Sequence, residues 1–433
     1  MAIRSVSATA TAHFRPSVAW MVAVVTVVAM TVLGLLFSRP DAIVLGIPSA
    51  LWAVAASSRF RRDEQVETTI HTSPESETVL VSRVHVATTS QWVQLSIDEA
   101  GRRTALVDAV WGSEKESPRV RGLLRLIHSG PLQAMKVQAR LIDSDGAAAS
   151  AVLPPVELVW NAAPPSTVID TVPVGARLTG LHGNHRGARA GDGGLFRDIH
   201  PFAPGDELRR IDWRATARLA RRADDLFVRR TDTLSDASVV IVVDTAEDLG
   251  AVVTTWGTAD TERSGVTSLD LARQTARFLA ESVVGQGDRV AVHALEPGGV
   301  SVREGSGLRH QARVIAAIAG MSVSTQTAMY RRTPPVAPRA TIFVLSTFFD
   351  GAAAALSQRW RAAGHRVIAM DTLPVLDETR LSPQQQIALR IVQAERTEIL
   401  QDLAYTGIDV VRCDSEEFLW RMREVTRSRR EQR

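Results

Sequence analysis

The hydrophobic pattern divides the chain into four stretches. Two uncharged apolar runs come first, Val18 to Phe37 and Ala42 to Ser58. The first has the roughly 20 residues needed to cross a bilayer core, and the second, at about 17, lies at the lower limit for spanning. From about Glu67 to Pro165 apolar and polar positions alternate. In "QAMKVQARLID", Met135, Val137, Ala139 and Leu141 alternate with Lys136, Gln138 and Arg140, the period of a strand with one wet face. "ETVLVSRVHVA" and "WVQLSID" repeat it, and "RGLLRLIHSGPLQAMKVQARL" reads as two strands joined by a Ser-Gly-Pro turn. Together they predict a small antiparallel β-sandwich.

The third stretch, Val168 to about Thr233, is irregular, and "GLHGNHRGARAGDGG" reads as a Gly-rich loop. No Gly-Lys-Ser/Thr follows it, so it lacks the parts of a phosphate-cradling loop. The fourth alternates buried strands with amphipathic helices. "ASVVIVVDT" is a near-continuous β-branched run, as expected of a central parallel strand covered on both faces. "TSLDLARQTARFLAESV" carries Ala272, Ala276, Leu279 and Val283 on one helical face, with Ser268 as the expected N-cap. "DRVAVHAL", "ATIFVLST", "HRVIAMDT" and "IDVVRCD" supply further strands, with helical segments between and after them. Such alternation predicts a doubly wound α/β sheet, whose sites sit at the C-terminal ends of strands. The division expected is 1–62 for a transmembrane hairpin with its flanks, 63–165 for the sandwich, 166–234 for a Gly-rich and motif segment, and 235–433 for the α/β domain.

Charge orients the apolar runs. Arg4, His13 and Arg15 precede the first, and Arg59, Arg61 and Arg62 follow the second, whereas the connecting loop offers Arg39 beside Asp41. The positive-inside rule places both flanks, both termini and everything after Ser58 in the cytoplasm of a two-pass cell-membrane protein. Two other readings exist, a signal peptide, although the apolar run exceeds a usual h-region, and a re-entrant second run broken by Gly46 and Pro48. Composition adds less. The 433 residues are 45% hydrophobic, enough for packed cores, and the net charge is only +3. Lys115 and Lys136 are the only lysines, so the basic side is almost all Arg. Cys413 is the single cysteine, which excludes an intrachain disulfide and a thiolate metal cluster.

The densest chemistry is "RDIHPFAPGDELRRIDWRATARL", Arg197 to Leu219. Pro204 presets φ and Gly205 permits positive φ, which suits a type II turn. Asp206 is placed to cap the element after that turn, Asp212 to pair with a nearby arginine, and Ile211 and Trp213 to anchor into a neighbouring core. An ion-paired connector and a docking surface with Arg214 and Arg218 exposed are both compatible with this composition. An enzyme would use Asp198, His200 and Asp206 as an acid–base set, but no nucleophile elbow, phosphate loop or metal cage accompanies them, so no enzyme is expected. His182, His185, His200 and Asp198 match no metal-ligand spacing. A nucleic-acid surface would use the arginines with Trp213 and Phe227, diluted by Asp212, Asp224 and Asp225.

The segment resembles the bacterial proteins grouped as domain of unknown function 58. "FAPGD" (Phe202 to Asp206), "RIDW" (Arg210 to Trp213) and "ATAR" (Ala215 to Arg218) carry the resemblance, with "GLFRDIH" as lead-in and a Val-rich strand ending in Asp244 beyond. The motif residues at issue are Arg197, Asp198, His200, Pro204, Gly205, Asp206, Arg210, Asp212, Trp213, Arg214 and Arg218. The resemblance implies a von Willebrand factor A-like C-terminal domain and partnership with a MoxR-type AAA+ ATPase in assembly or maturation of a client protein. It also implies a place to look for Mg²⁺, where such domains often carry Asp-x-Ser-x-Ser with a later Thr and Asp. Here the chain reads Asp244-Thr245-Ala246-Glu247-Asp248. Ala246 has no side-chain oxygen, Asp248 replaces the second hydroxyl, and Thr347 stands where Asp is common. Thr325 or Thr327 would have to supply a hydroxyl, with Asp248 or Asp350 compensating. A cation that needs about six oxygens is poorly served, so no cofactor is expected. The reading is a membrane-anchored adaptor; metal-dependent adhesion and nucleic-acid binding are the alternatives.

Overall fold

The first described element of the computed structural model is a strand, β1 (Arg4–Pro16), which precedes both apolar helices. The structure describes residues 4–58, 60, 62–76, 78–90, 92–99, 105–110, 119–166, 185–191, 195–204, 206–222, 224–258, 264–296, 298–324 and 334–427. The fold is mixed α/β and divides into two units, Met1–Ile127 with Pro131–Ala162, and His128–Gly130 with Ala163–Arg433.

In the first unit β1 leads into α1 (Val18–Leu36) and α2 (Pro40–Ser57). There follow β2 (Asp63–Pro74), β3 (Val79–Ala87), β4 (Trp92–Glu99), β5 (Ala105–Val110), β6 (Arg119–Arg125), β7 (Gly130–Ile142), β8 (Ala148–Ser150) and β9 (Val156–Ala162). The strand order is β5-β4-β7-β8-β1-β2-β3-β6, with β9 on β7. Every pairing along that path is antiparallel. Met135, Val137, Ala139 and Leu141 are buried, as their alternation requires, among Ile70, Leu80, Leu95 and Leu124. The strands flanking the Ser-Gly-Pro turn separate: β6 pairs with β3 and β7 with β4.

The sequence division placed residues 1–62 outside the β domain, and β1 alters that. It runs antiparallel to β2 from Arg4↔Thr72 to His13↔Asp63, then to β8 from Phe14↔Ser150 to Pro16↔Ala148. Ala12 and Phe14 enter the core. The strand escaped detection because its short Ser, Thr and Ala side chains give the period-2 pattern little hydrophobic contrast.

α1 and α2 are long and apolar enough to cross a membrane. Val25, Leu35, Leu36, Leu45 and Val54 are exposed on their outer sides, the arrangement expected where lipid is the solvent. Ser17 caps α1 by accepting from the Trp20 amide at 3.2 Å. The helices meet through small residues: a Cβ added at Gly34 would lie 2.5 Å from Ile43 Cγ1, so only glycine permits that approach. Trp20 Nε1 donates to the Ala53 carbonyl at 2.9 Å. α2 continues through Gly46 and Pro48 as one helix.

The second unit opens with β10 (His185–Gly191), β11 (Leu195–Pro201), α3 (Trp213–Leu219) and β12 (Phe227–Ser235). The three strands form an antiparallel sheet in the order β10-β12-β11. The Gly-rich stretch read as loop thus contributes a strand at 185–191; pairing of β10 with β12, remote in sequence, compensates for the low propensity of its glycines.

The larger sheet comprises β13 (Ser238–Val243), β14 (Arg289–Ala294), β15 (Ser301–Gly305), β16 (Thr341–Ser346), β17 (Arg366–Asp371) and β18 (Asp409–Arg412). Between and after them lie α4 (Ser268–Gly285), α5 (Leu308–Ala319), α6 (Ala352–Ala362), α7 (Pro383–Tyr405) and α8 (Phe418–Arg427). Strand order is β15-β14-β13-β16-β17-β18, parallel except for β15, which runs antiparallel to β14. Val239, Ile241 and Val243 pack with Leu279 of α4, Val314 of α5 and Met422 of α8. Val240 and Val242 face the other way, onto Leu356 and Trp360 of α6 and Leu403 of α7. Helices therefore cover both faces, and each fully buried Val, Ile or Leu contributes about 1.5–3 kcal/mol. The cap of α4 is Thr267, one residue before the expected Ser268. Thr267 and Asp270 form a capping box, while the Ser268 hydroxyl accepts from the Leu249 amide at 2.9 Å.

Candidate functional site

The Arg197–Leu219 motif is built on β11, a short 3₁₀ turn at Leu208–Arg210, and α3. Arg197 lies on β11, and Asp198 stands opposite Arg230 of β12. His200 turns its Nδ1 to the Pro201 carbonyl. Gly205 lies outside the described residues, and with it the expected turn type. Around that position the Asp206 amide donates to the Ala203 carbonyl at 3.0 Å, and Asp206 Oδ2 accepts from the Ala203 amide at 2.9 Å. Asp206 therefore closes the Pro204 turn on itself instead of capping the next element, and its Oδ1 lies 3.6 Å from Arg230 Nη2.

Asp212 takes the capping role. Its Oδ1 accepts from the Arg214 and Ala215 amides, both at 3.0 Å, and not from the arginine side chain expected of it. Glu207 pairs with the arginines beside it, 2.6 Å from Arg209 Nε and 3.3 Å from Arg210 Nε. Those arginines hold the Glu207 carboxyl below its ordinary range, the Arg209 hydrogen bond being the largest cause. α3 is tied down by buried Ala215 and by Thr216 Oγ1, which accepts from the Phe227 amide at 3.0 Å. Ile211 is half-buried and bridges to Val228.

Trp213 departs from expectation. It is 68% exposed, not anchored in a core, and Leu208 and Leu219 are exposed with it. Arg214 and Arg218 are exposed on the same short helix. The cap itself is tied to β12, the Asp212 amide donating to the Phe227 carbonyl at 2.9 Å. Asp198 and Asp206 both lie beside Arg230, the first as its register partner and the second through an ion pair, whereas His200 is turned to the Pro201 carbonyl.

A second polar cluster sits where the strand order reverses, at the carboxyl ends of β13 and β16. Asp244 Oδ2 accepts from Ser346 Oγ at 2.7 Å, and Oδ1 from the Ala246 amide at 3.1 Å. Thr347 Oγ1 donates to Glu247. Asp248 Oδ1 accepts from the Leu269 amide at 3.0 Å, on the first turn of α4. Burial raises the Glu247 pKa, and the neighbouring Asp244 and Asp350 carboxylates add to the rise against the Thr347 hydrogen bond. Arg396 reaches in from α7, with Nε donating to the Thr347 carbonyl at 2.6 Å and Nη2 bonded to Asp371 at the end of β17. Its guanidinium lies 5.4 Å from the Phe349 ring centre.

Asp248 is turned to a helix amide, Thr347 Oγ1 is given to Glu247, and Ala246 offers its backbone amide, a donor. Thr325 and Thr327 lie outside the described residues. Among the described residues no group of three or more His, Cys, Asp or Glu is arranged to hold a metal ion. Sequence reasoning missed Ser346, Asp371 and Arg396; Arg396 sits 152 residues beyond Asp244 in an ordinary helical pattern, so only the fold joins them.

Residues 198–401 match the model of a family described as Protein of unknown function DUF58. The match begins within the motif and ends on α7, so it spans both clusters. It supports the family resemblance carried by the Pro-Gly-Asp and Arg-x-Ile-Asp-Trp motifs. No curated protein and no solved structure matches the chain.

Proposed function

We propose that this protein is a membrane-anchored, cytosol-facing adaptor that presents the Arg197–Leu219 motif to a protein partner. The observation that carries the reading is the outward display of Trp213 with Leu208 and Leu219, beside exposed Arg214 and Arg218. Trp and Arg are the side chains that most often dominate protein interfaces. An exposed Trp on a helix fixed by its own cap contributes little to the fold and is available for recognition. Three of the four acidic residues of the motif are engaged internally: Asp206 with the turn, Glu207 with Arg209 and Arg210, and Asp212 with the helix, while Asp198 is exposed on β11. That leaves a basic, apolar face.

The resemblance names the partner class, a MoxR-type AAA+ ATPase, and the role, assembly or maturation of a client protein. The parallel sheet covered by helices on both faces supports a von Willebrand factor A-like reading of the second unit. The arginine flanks of the apolar helices support cytoplasmic placement. Nucleic-acid binding is the weaker reading, because Arg209, Arg210 and Arg230 already have acidic partners.

The test is co-purification from membranes with and without ATP, comparing the native chain with Trp213→Ala and with Arg214→Glu/Arg218→Glu. Recovery of the AAA+ ATPase with the native chain, reduced at least about tenfold by Trp213→Ala as for a binding hot spot, is the expected result. Absence of the ATPase under both nucleotide conditions, or equal recovery with all three chains, would overturn it.

A further inference from the structure

We infer that the β6 edge of the first unit receives an extended peptide segment in which acidic and apolar side chains alternate. β5 and β6 are the two ends of the strand path, so among the described residues each pairs along one side only. Both line a single cavity of about 640 Å³, together with residues of β3, β4 and β7. The two end strands thus border a hollow, of a size that elsewhere holds ligands. Val84, Ile97, Val107, Val120 and Met135 give it apolar walls. Glu99 also lines it and lies beneath β6, since a Cβ added at Gly122 would collide with the Glu99 carboxylate.

The outer face of β6 has the opposite chemistry. Arg121, Leu123 and Arg125 are exposed, while Leu124 is buried. Arg121 stands directly opposite Arg83 of β3, and Arg83 directly opposite His71 of β2, all three exposed. Like charges set opposite one another across strands are unfavourable. Among the described residues no acidic side chain forms an ion pair with Arg83, Arg121 or Arg125. Charge that only protects a sheet edge need sit only on the edge strand; here the cationic row runs on to β3, above an open hollow. An incoming strand accounts for both faces together, because its side chains alternate between them. Beside β6, its acidic residues would lie opposite Arg121 and Arg125, its apolar residues would enter the hollow, and its main chain would bond to the edge. In strand addition main-chain bonds give affinity and pockets for alternate side chains give specificity. A phosphate chain or a lipid headgroup would use the arginines and leave the edge and the hollow unused. The surface belongs to the first unit and stands or falls separately from the adaptor reading.

The experiment is fluorescence anisotropy on the full chain in neutral detergent micelles, with a capped, dye-labelled peptide of alternating glutamate and valine. Binding should be saturable, weaken as salt rises, and fall at least about tenfold for Arg121→Glu. Arg121 is exposed, so its replacement should leave the thermal midpoint unchanged. Arg83→Glu should weaken binding as well, whereas Arg309→Glu, at an exposed position on α5, should not. The same peptide N-methylated throughout cannot donate main-chain hydrogen bonds and should not bind. A peptide of alternating glutamate and serine should bind at least about tenfold more weakly, having nothing apolar for the hollow. Absence of saturable binding, equal binding by Arg121→Glu, or equal binding of either altered peptide would overturn the inference. So would Arg121-dependent binding of a single-stranded RNA oligonucleotide or of phosphatidylserine vesicles that is tighter than binding of the peptide.

Discussion

His13 and Asp63 stand directly opposite each other on adjacent strands, ring Nδ1 2.7 Å from carboxylate Oδ1, and the whole apolar hairpin lies between them in the chain. Beside them the Phe14 amide donates to the Arg62 carbonyl at 3.2 Å. The chain therefore returns, after two helices, to the point it left. Helices that cross a bilayer and close in this way must enter and leave on one side.

Single cysteines placed in a Cys413→Ser background report this directly. Ser7→Cys and Glu75→Cys lie in the paired strand region, and Ser38→Cys lies in the turn between the helices. In sealed vesicles an impermeant maleimide should label positions 7 and 75 from one side and position 38 only from the other. Labelling of all three from the same side would remove the spanning hairpin.

Glu64 gives the first unit an acid-sensitive latch. Its carboxylate accepts from Thr88 Oγ1 at 2.6 Å, from Ser90 Oγ at 2.9 Å and from the Thr89 amide. Burial alone would raise its pKa, but these hydrogen bonds outweigh burial and hold it below the ordinary 4.5. A carboxylate with a depressed folded pKa stabilises the fold above the unfolded value, and that contribution is lost as pH falls below it. Glu64→Gln should cost about 1–3 kcal/mol near neutral pH and flatten the loss of stability below pH 4.5. Chemical denaturation at several pH values measures both effects.

Asp212 and Trp213 should separate stability from recognition. Asp212→Ala removes the cap of α3 and should cost about 0.5–2 kcal/mol, with faster hydrogen exchange at the Arg214 and Ala215 amides. Trp213→Ala should change unfolding free energy by no more than about 0.5 kcal/mol, as for other exposed positions. A large loss on replacing Trp213 would mean that it is packed after all.

Cys413 should be a poor nucleophile in the folded chain. Burial, with Asp371 and Asp414 nearby, pushes its thiol up to about 12 against the Thr275 hydrogen bond. Alkylation at mildly alkaline pH should be slow in the native protein and become fast on unfolding. Reaction at equal rates in both states would contradict the burial.

Legibility in the sequence depends on contrast. β13 and β16 are legible because Ser238–Val243 and Thr341–Ser346 are buried on both faces and so must be apolar nearly throughout. The apolar helices are legible for a related reason: their exposed sides are apolar as well, long enough to cross a membrane. β1 and β10 are not, because small residues carry little hydrophobic signal and their pairing partners are distant in sequence. The motif was legible as a motif but not as a surface. Local chemistry allowed Asp212 to pair with an arginine or to cap a helix, and only the fold chose. The Arg396 cluster had no local signature, since its members are gathered from three loops and a helix.

The position of β1 has a consequence for how the protein is made. The strand emerges from the ribosome before the helices do, yet its main partner, β2, is synthesised only after them. Until both helices have been made and the chain has come back, the strand has no β2 edge to join, and Ala12 and Phe14 have no complete core to enter. Closure of this sheet thus waits on both helices: until the chain returns, β1 presents an unpaired edge of the kind that templates pairing with other chains.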